Sequence, residues 1–123
     1  METVIPTWLA AVRAAESKKA LDIRVLDLRE VTSFADYFVI CSGSNTRQNQ
    51  AIADGIEKDL AEIGERANSS EGYQTAEWVL LDYGDIVIHV MSAEARAFYD
   101  LERLWRMAKV VEIPPDPEAG SVN

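Results

Sequence analysis

The sequence predicts an α/β fold, a single domain in which helices flank a mixed β-sheet, and three observations carry that prediction. The chain has 123 residues, close to the commonest size of one domain, and 48% of them are apolar, enough to fill one core. Short stretches of strand-like alternation are interleaved with stretches of helical periodicity, in the order αββαββα with a final short strand. A strand–helix–strand crossover falls in the middle of that order, which brings parallel and antiparallel neighbours into one sheet.

Residues 7–20 read as a helix, with Pro6 ahead of it and Leu9, Val12 and Ala15 on one face. Residues 22–29 (DIRVLDLR) come close to alternation and suit a half-buried strand. Residues 36–41 (DYFVIC) are continuously apolar after the first, as in a central strand covered on both faces. Asn45 or Thr46 is placed to cap a helix running to about residue 63, with Ile52, Ile56, Leu60 and Ile63 as its buried stripe and Gly64 as its stop. Residues 65–74 are polar and turn-prone, and read as a loop. Residues 77–82 (EWVLLD) and 86–91 (IVIHVM) are two strands joined by the tight connection Tyr83-Gly84-Asp85. Ser92 caps a third helix, residues 93 to about 106, with Phe98, Leu101 and Trp105 on one stripe and Leu104 beside it. Residues 109–113 are expected as a short last strand. The domain therefore spans residues 1–113, and Pro114, Pro115, Pro117 and Gly120 make 114–123 a flexible tail.

Twelve basic against 21 acidic side chains leave a net charge of −9 at pH 7 and a pI near 4.5. Such a chain is ill suited to broad contact with a phosphate backbone, which needs clustered Lys and Arg, but its field speeds encounter with a basic protein. Cys41 is the lone cysteine, which excludes an internal disulfide and a Cys-rich zinc site and fits a reducing, cytoplasmic setting. No apolar run approaches the roughly 18 residues of a membrane span, and the acidic start lacks the basic region of a signal peptide.

The residues offer little for catalysis, which needs a nucleophile, an acid or base and a charge stabiliser brought together. His89 is the only histidine and alternates with apolar neighbours, as a packed strand residue does. Cys41 ends an apolar strand, where a free cysteine is usually a small core residue. Spacing alone leaves a Cys41–His89 pair open, without local support. The turn Ser42-Gly43-Ser44-Asn45 lies between a strand and a helix, where backbone N–H groups can hold an anion, but neither GxGxxG nor Gly-Lys-Ser/Thr is present. Its nearest analogy is the Gly-Ser turn of nucleotidyltransferase-like folds, whose Mg²⁺ needs two carboxylates one residue apart on the next strand; here that strand offers Asp82, with Asp85 beyond the turn. The carboxylates of the second helix (Asp54, Glu57, Asp59, Glu62, Glu65) make a solvated face. No metal ligand set and no cofactor are expected.

One feature of sign stands out. From residue 67 to 95 there is no Lys or Arg, yet there are five acids, Glu71, Glu77, Asp82, Asp85 and Glu94, with Tyr73, Trp78 and Tyr83 among them. Alternation puts Trp78, Leu80 and Asp82 on one face of their strand and Val79, Leu81 and Tyr83 on the other. An acidic hairpin carrying a Trp suits docking onto a basic protein, with Trp78 as anchor and its indole N–H reaching a partner carbonyl. The residues alone leave equally open that Trp78 is core. If Val79 and Leu81 supply the core face, Trp78→Ala keeps its melting temperature.

Taken together the motifs resemble the bacterial ribosomal silencing factor family, also called the Iojap or DUF143 family. The matching pieces are residues 19–23 (KALDI), 32–45 (TSFADYFVICSGSN), Arg47-Gln48, 76–85 (AEWVLLDYGD) continuing into 86–90 (IVIHV), and 99–105 (YDLERLW). They cover about residues 5–113 in order, and the departures are conservative, at Ile86 and Met91 and in the Pro-rich tail. The resemblance implies a nucleotidyltransferase-like fold without the catalytic site. It implies no enzyme and no cofactor, but a translational repressor that binds the large ribosomal subunit through a basic protein, the fourteenth of that subunit. Bound there, it would sterically block joining of the small subunit when nutrients are short. The family further implies a homodimer when free. Carried over by position, Trp78, Leu80 and Asp82 belong to the docking face, Glu77 and Asp85 to its acidic surround, and Tyr99 and Trp105 join from the last helix. The rival of another class is a nucleotide-handling enzyme working through Ser42–Asn45 with Asp82 and Asp85.

Overall fold

Residues 4–116 are described by the computed structural model of the chain. The first helix, α1 (Thr7–Ser17), starts where the Pro6 carbonyl accepts from the N–H groups of Leu9 and Ala10, both at 3.0 Å. It stops three residues short of the expected end because Lys19 takes a left-handed turn, φ 65°. β1 (Leu21–Asp27) and β2 (Tyr37–Ser42) pair antiparallel, and β2 is buried as its apolar run predicts. α2 (Thr46–Glu62) is capped by Asn45, whose side chain accepts from the Gln48 N–H at 2.8 Å. Ile52, Ile56 and Leu60 are buried as expected, but Ile63 is not: it follows the last helical residue and is 55% exposed.

The chain continues through β3 (Ser69–Glu71), β4 (Trp78–Asp82) and β5 (Ile86–Met91), and Gly84 turns the hairpin between the last two at φ 86°. β3 falls inside the stretch expected to be loop. Its three residues are all exposed and it pairs only through the backbone as an edge strand, so no hydrophobic pattern marks it. The expected single helix over 93–106 is broken into α3 (Ala93–Tyr99), capped by Ser92, and α4 (Leu101–Leu104). The break is at Asp100, which adopts φ 50°, ψ 57°, a left-handed conformation that Asp tolerates better than most residues. β6 (Lys109–Val110) is shorter than expected and pairs antiparallel with β1. Of the expected tail, residues 117–123 lie outside the described residues; at its start the Arg13 guanidinium donates to the carbonyls of Pro114 at 2.8 Å and Pro115 at 3.3 Å.

The strands form one mixed sheet in the order β3-β4-β5-β2-β1-β6, in which β2 and β5 run parallel and the other neighbours antiparallel. α1 and α2 pack together against one side, over Val25, Val39, Cys41, Val79, Leu81, Ile88 and Val90. The other side carries a smaller cluster, Leu26, Leu28, Phe38, Ile40, Val87, Met91 and Leu101, roofed only by the short C-terminal helices. Among the described residues no helix is long and apolar enough to cross a membrane.

Candidate docking face

The thinly roofed side of the sheet holds the candidate site, and strand alternation decides what appears on it. β4 turns Val79 and Leu81 toward α1 and α2, where both are buried, and presents Trp78, Leu80 and Asp82 on the opposite side, each partly exposed. This is the division expected from the sequence. β5 places His89 beside Leu80 on the same side, 3% exposed.

These side chains form a connected row of rings. The indole Nε1–H of Trp78 donates to His89 Nδ1 at 3.0 Å. The Phe38 ring stands edge-on to His89, centroids 4.5 Å apart, and Trp105 stands edge-on to Phe38 at 5.7 Å. Outward from Trp78, Tyr99 lies at 4.8 Å and Phe98 at 5.0 Å from Tyr99. Such pairs add about 0.5–1.5 kcal/mol each beyond the area they bury. The row runs from a buried floor, Phe38 with the partly buried Trp105, to solvent at Phe98, which is 80% exposed. Phe98, Tyr99 and the exposed Leu104 line an open hollow of about 420 Å³ together with Arg103 and Arg106.

Since His89 Nδ1 accepts, the ring proton sits on Nε2, which has no hydrogen-bond partner among the described residues. Burial holds the imidazole pKa down at about 4, so the ring is neutral at pH 7. The sequence expectation for the indole is corrected here: its N–H is bound within the molecule and is not free for a partner carbonyl. Nor is Trp78 purely a contact residue, because it packs on the second cluster and satisfies His89. An unchanged melting temperature in Trp78→Ala is therefore no longer expected.

The acidic residues bracket the row. Glu77 precedes β4 and accepts from the Ser92 hydroxyl at 2.9 Å, beside the start of α3. At the far end Asp82 accepts from the Gly84 N–H at 2.8 Å and fixes the turn that exposes Asp85. On the β3 side, a Cβ at Gly72 would overlap the Trp78 carbonyl oxygen, so the edge backbone can lie this close only without a side chain. Arg96 closes the α3 side: its guanidinium donates to Glu102 at 2.8 Å and to the Ser42 hydroxyl at 3.2 Å, tying both C-terminal helices to the end of β2.

The groups needed by a nucleotide-handling enzyme are kept apart. Ser42 faces Met91 across β2 and β5, and Met91 faces Trp78, so Asp82 lies two strands across from Ser42 and four residues farther along β4, an offset of roughly 13 Å along the strand at about 3.3 Å per residue. Two N–H donors of the turn are already used: Gly43 donates to Asn49 Oδ1 at 2.8 Å and Ser44 to Gln48 Oε1 at 2.7 Å. Cys41 and His89 point to opposite sides of the sheet, and burial pushes the thiol up to about 12. Sequence reasoning missed Phe98 and Leu104 as surface residues, since an unbroken helix would have put Phe98 on the stripe of Leu101 and Trp105. It also missed His89 as the acceptor for Trp78, although in an EWVLLD…IVIHV hairpin the adjacent strands place the two on one face as diagonal neighbours, two residues apart in register.

Comparison with known proteins finds close relatives. The family described as "Ribosomal silencing factor during starvation" matches residues 2–122. "Ribosomal silencing factor RsfS" of Halalkalibacterium halodurans is 43% identical over 103 residues, 84% of this chain and 88% of that protein. "Mitochondrial assembly of ribosomal large subunit protein 1" of Mus musculus is 33% identical over 99 residues, 78% of this chain and 43% of that protein. The crystal structure of a Chromobacterium violaceum protein superposes with a TM-score of 0.80 at 34% identity, covering 89% of this chain and 91% of that one.

Proposed function

The chain belongs to the ribosomal silencing factor family, and on that premise we propose that it represses translation by binding the large ribosomal subunit and keeping the small subunit from joining. The contact is with a basic protein of the large subunit, its fourteenth, in the cytoplasm and under nutrient limitation. Nothing is made or broken; the mechanism is occupancy of an intersubunit surface.

The observation that carries this reading is the row Trp78, Tyr99 and Phe98, with Leu80 beside it, lying on the sheet face that α1 and α2 leave uncovered, with Glu77 and Asp82 at the two ends of β4. Aromatic anchors beside a hairpin whose charges are all acidic are suited to an interface with a basic partner. Trp78, Leu80 and Tyr99 make the contact, Trp105 supports them from the floor, and Glu77, Asp82 and Asp85 orient the approach. In the free state a second copy of the chain pairs with the first, as expected for the family, which sedimentation velocity measures directly.

The test is sucrose-gradient sedimentation with purified large subunits, followed by addition of small subunits. The chain should travel with large subunits and lower the yield of joined ribosomes. A chain that stays at the top of the gradient, or that binds nucleotide in Mg²⁺ by calorimetry, overturns the proposal.

A further inference from the structure

We propose that His89 is the positioning residue of the docking face: its Nδ1 holds the Trp78 indole in one orientation before the partner arrives. This rests on the docking function proposed above. A Trp on a sheet face with one side open has several staggered orientations available, and each one frozen at binding weakens affinity. Here the indole is clamped from two directions, by the 3.0 Å bond to His89 and by the Tyr99 ring at 4.8 Å.

The choice of residue at position 89 points the same way. Its neighbours on that side of β5, Val87 and Met91, are apolar, and the slot is 97% closed to solvent by the 3% exposure of His89. A leucine there would bury no imidazole N–H, whereas His89 leaves its Nε2–H buried and unpartnered. What the imidazole has and leucine lacks is an acceptor aimed at Trp78, rigidly placed because the ring is wedged against Phe38 at 4.5 Å. The bond also settles what the partner meets. With the N–H occupied, the indole offers its ring, which suits an apolar contact or a Lys or Arg of a basic protein laid over the π face.

The experiment uses the full chain with His89→Leu, which removes the acceptor, and His89→Asn, whose side-chain oxygen lies near the Nδ1 position. Nitrogen-15 NMR reads the His89 tautomer and the exchange of the Trp78 indole N–H, identified by its loss in Trp78→Phe; sedimentation with large subunits reads affinity. We expect Nδ1 unprotonated, a slowly exchanging indole in wild type, faster exchange and about fivefold weaker binding in His89→Leu, the cost of ordering one side chain at binding, and recovery of most of the affinity in His89→Asn. Wild-type affinity in a folded His89→Leu overturns the proposal, as does a protonated Nδ1. If wild type itself does not bind large subunits, the docking function falls, and indole exchange alone then judges the positioning: unchanged exchange in His89→Leu refutes it. Should His89→Leu fail to fold, the tautomer and indole exchange of the wild-type chain decide in the same way.

Discussion

A buried imidazole makes the stability of this chain depend on pH. His89 is neutral in the fold with its pKa lowered from 6.5 to about 4 by burial, while in the unfolded chain it protonates normally. The folded form thus binds fewer protons between those two values. The stabilisation is fully present above pH 6.5 and is lost as pH falls through about 4, an effect of about 3 kcal/mol across the window. Thermal melts from pH 7 to 4 should show a falling Tm whose slope is shallower in His89→Leu; parallel slopes would mean that other groups dominate. Trp78 belongs to the same pair. Trp78→Ala removes a ring packed on Tyr99 and leaves His89 Nδ1 without its donor, so stability should drop by about 1–3 kcal/mol. Affinity for large subunits should fall by a further 2 kcal/mol or so, about thirtyfold. Denaturation and sedimentation of the one variant separate the two losses.

At the scale of elements, the long strands and α2 were legible because each has one strong signal: a continuous apolar run for β2 and β5, alternation for β4, and a capped stripe for α2. What stayed hidden depends on the backbone. β3 has no apolar residue to announce it, and Asp100 breaks α3 from α4 without a glycine or proline to mark the place. That break turns Phe98 outward, and with it went the legibility of the docking row's outer end. The partnership of β3 with β4 makes its own prediction. Gly72→Ala puts a Cβ into the Trp78 carbonyl at a φ of 82°, so edge and strand must separate. A stability loss of about 1–3 kcal/mol in denaturant melts, with weaker binding to large subunits, is expected. Gly64→Ala, at a similar φ but with open space around it, should cost less, since only the backbone term remains.

For the whole molecule the dominant quantity is charge. A net −9, with no Lys or Arg between residues 67 and 95, gives the hairpin a negative field. Rim charges act mainly on encounter, so the association rate with large subunits should fall as salt rises from about 0.05 to 0.3 M while dissociation changes little. Stopped-flow mixing reads both rates. Glu77→Gln with Asp85→Asn should flatten the salt dependence, and an on-rate indifferent to salt would remove the hairpin acids from the docking account. This charge was visible in the sequence from the start; which acids stand at which end of the row was not, because it depends on the turn that Asp82 and Gly84 close.

The alternation of β4 has one consequence that reaches through every scale. In the docking proposed above Trp78 and Leu80 serve recognition, while Val79 and Leu81 are buried in the interior, and they are told apart by nothing but odd and even position. A slip of β4 by one residue against β5, too small a change to register as a loss of hydrophobicity or charge, would exchange the two sets. In that docking, recognition and folding are written on the same five residues in two interleaved alphabets, and a shift of register is the one kind of change that this chain can absorb on neither side of its sheet.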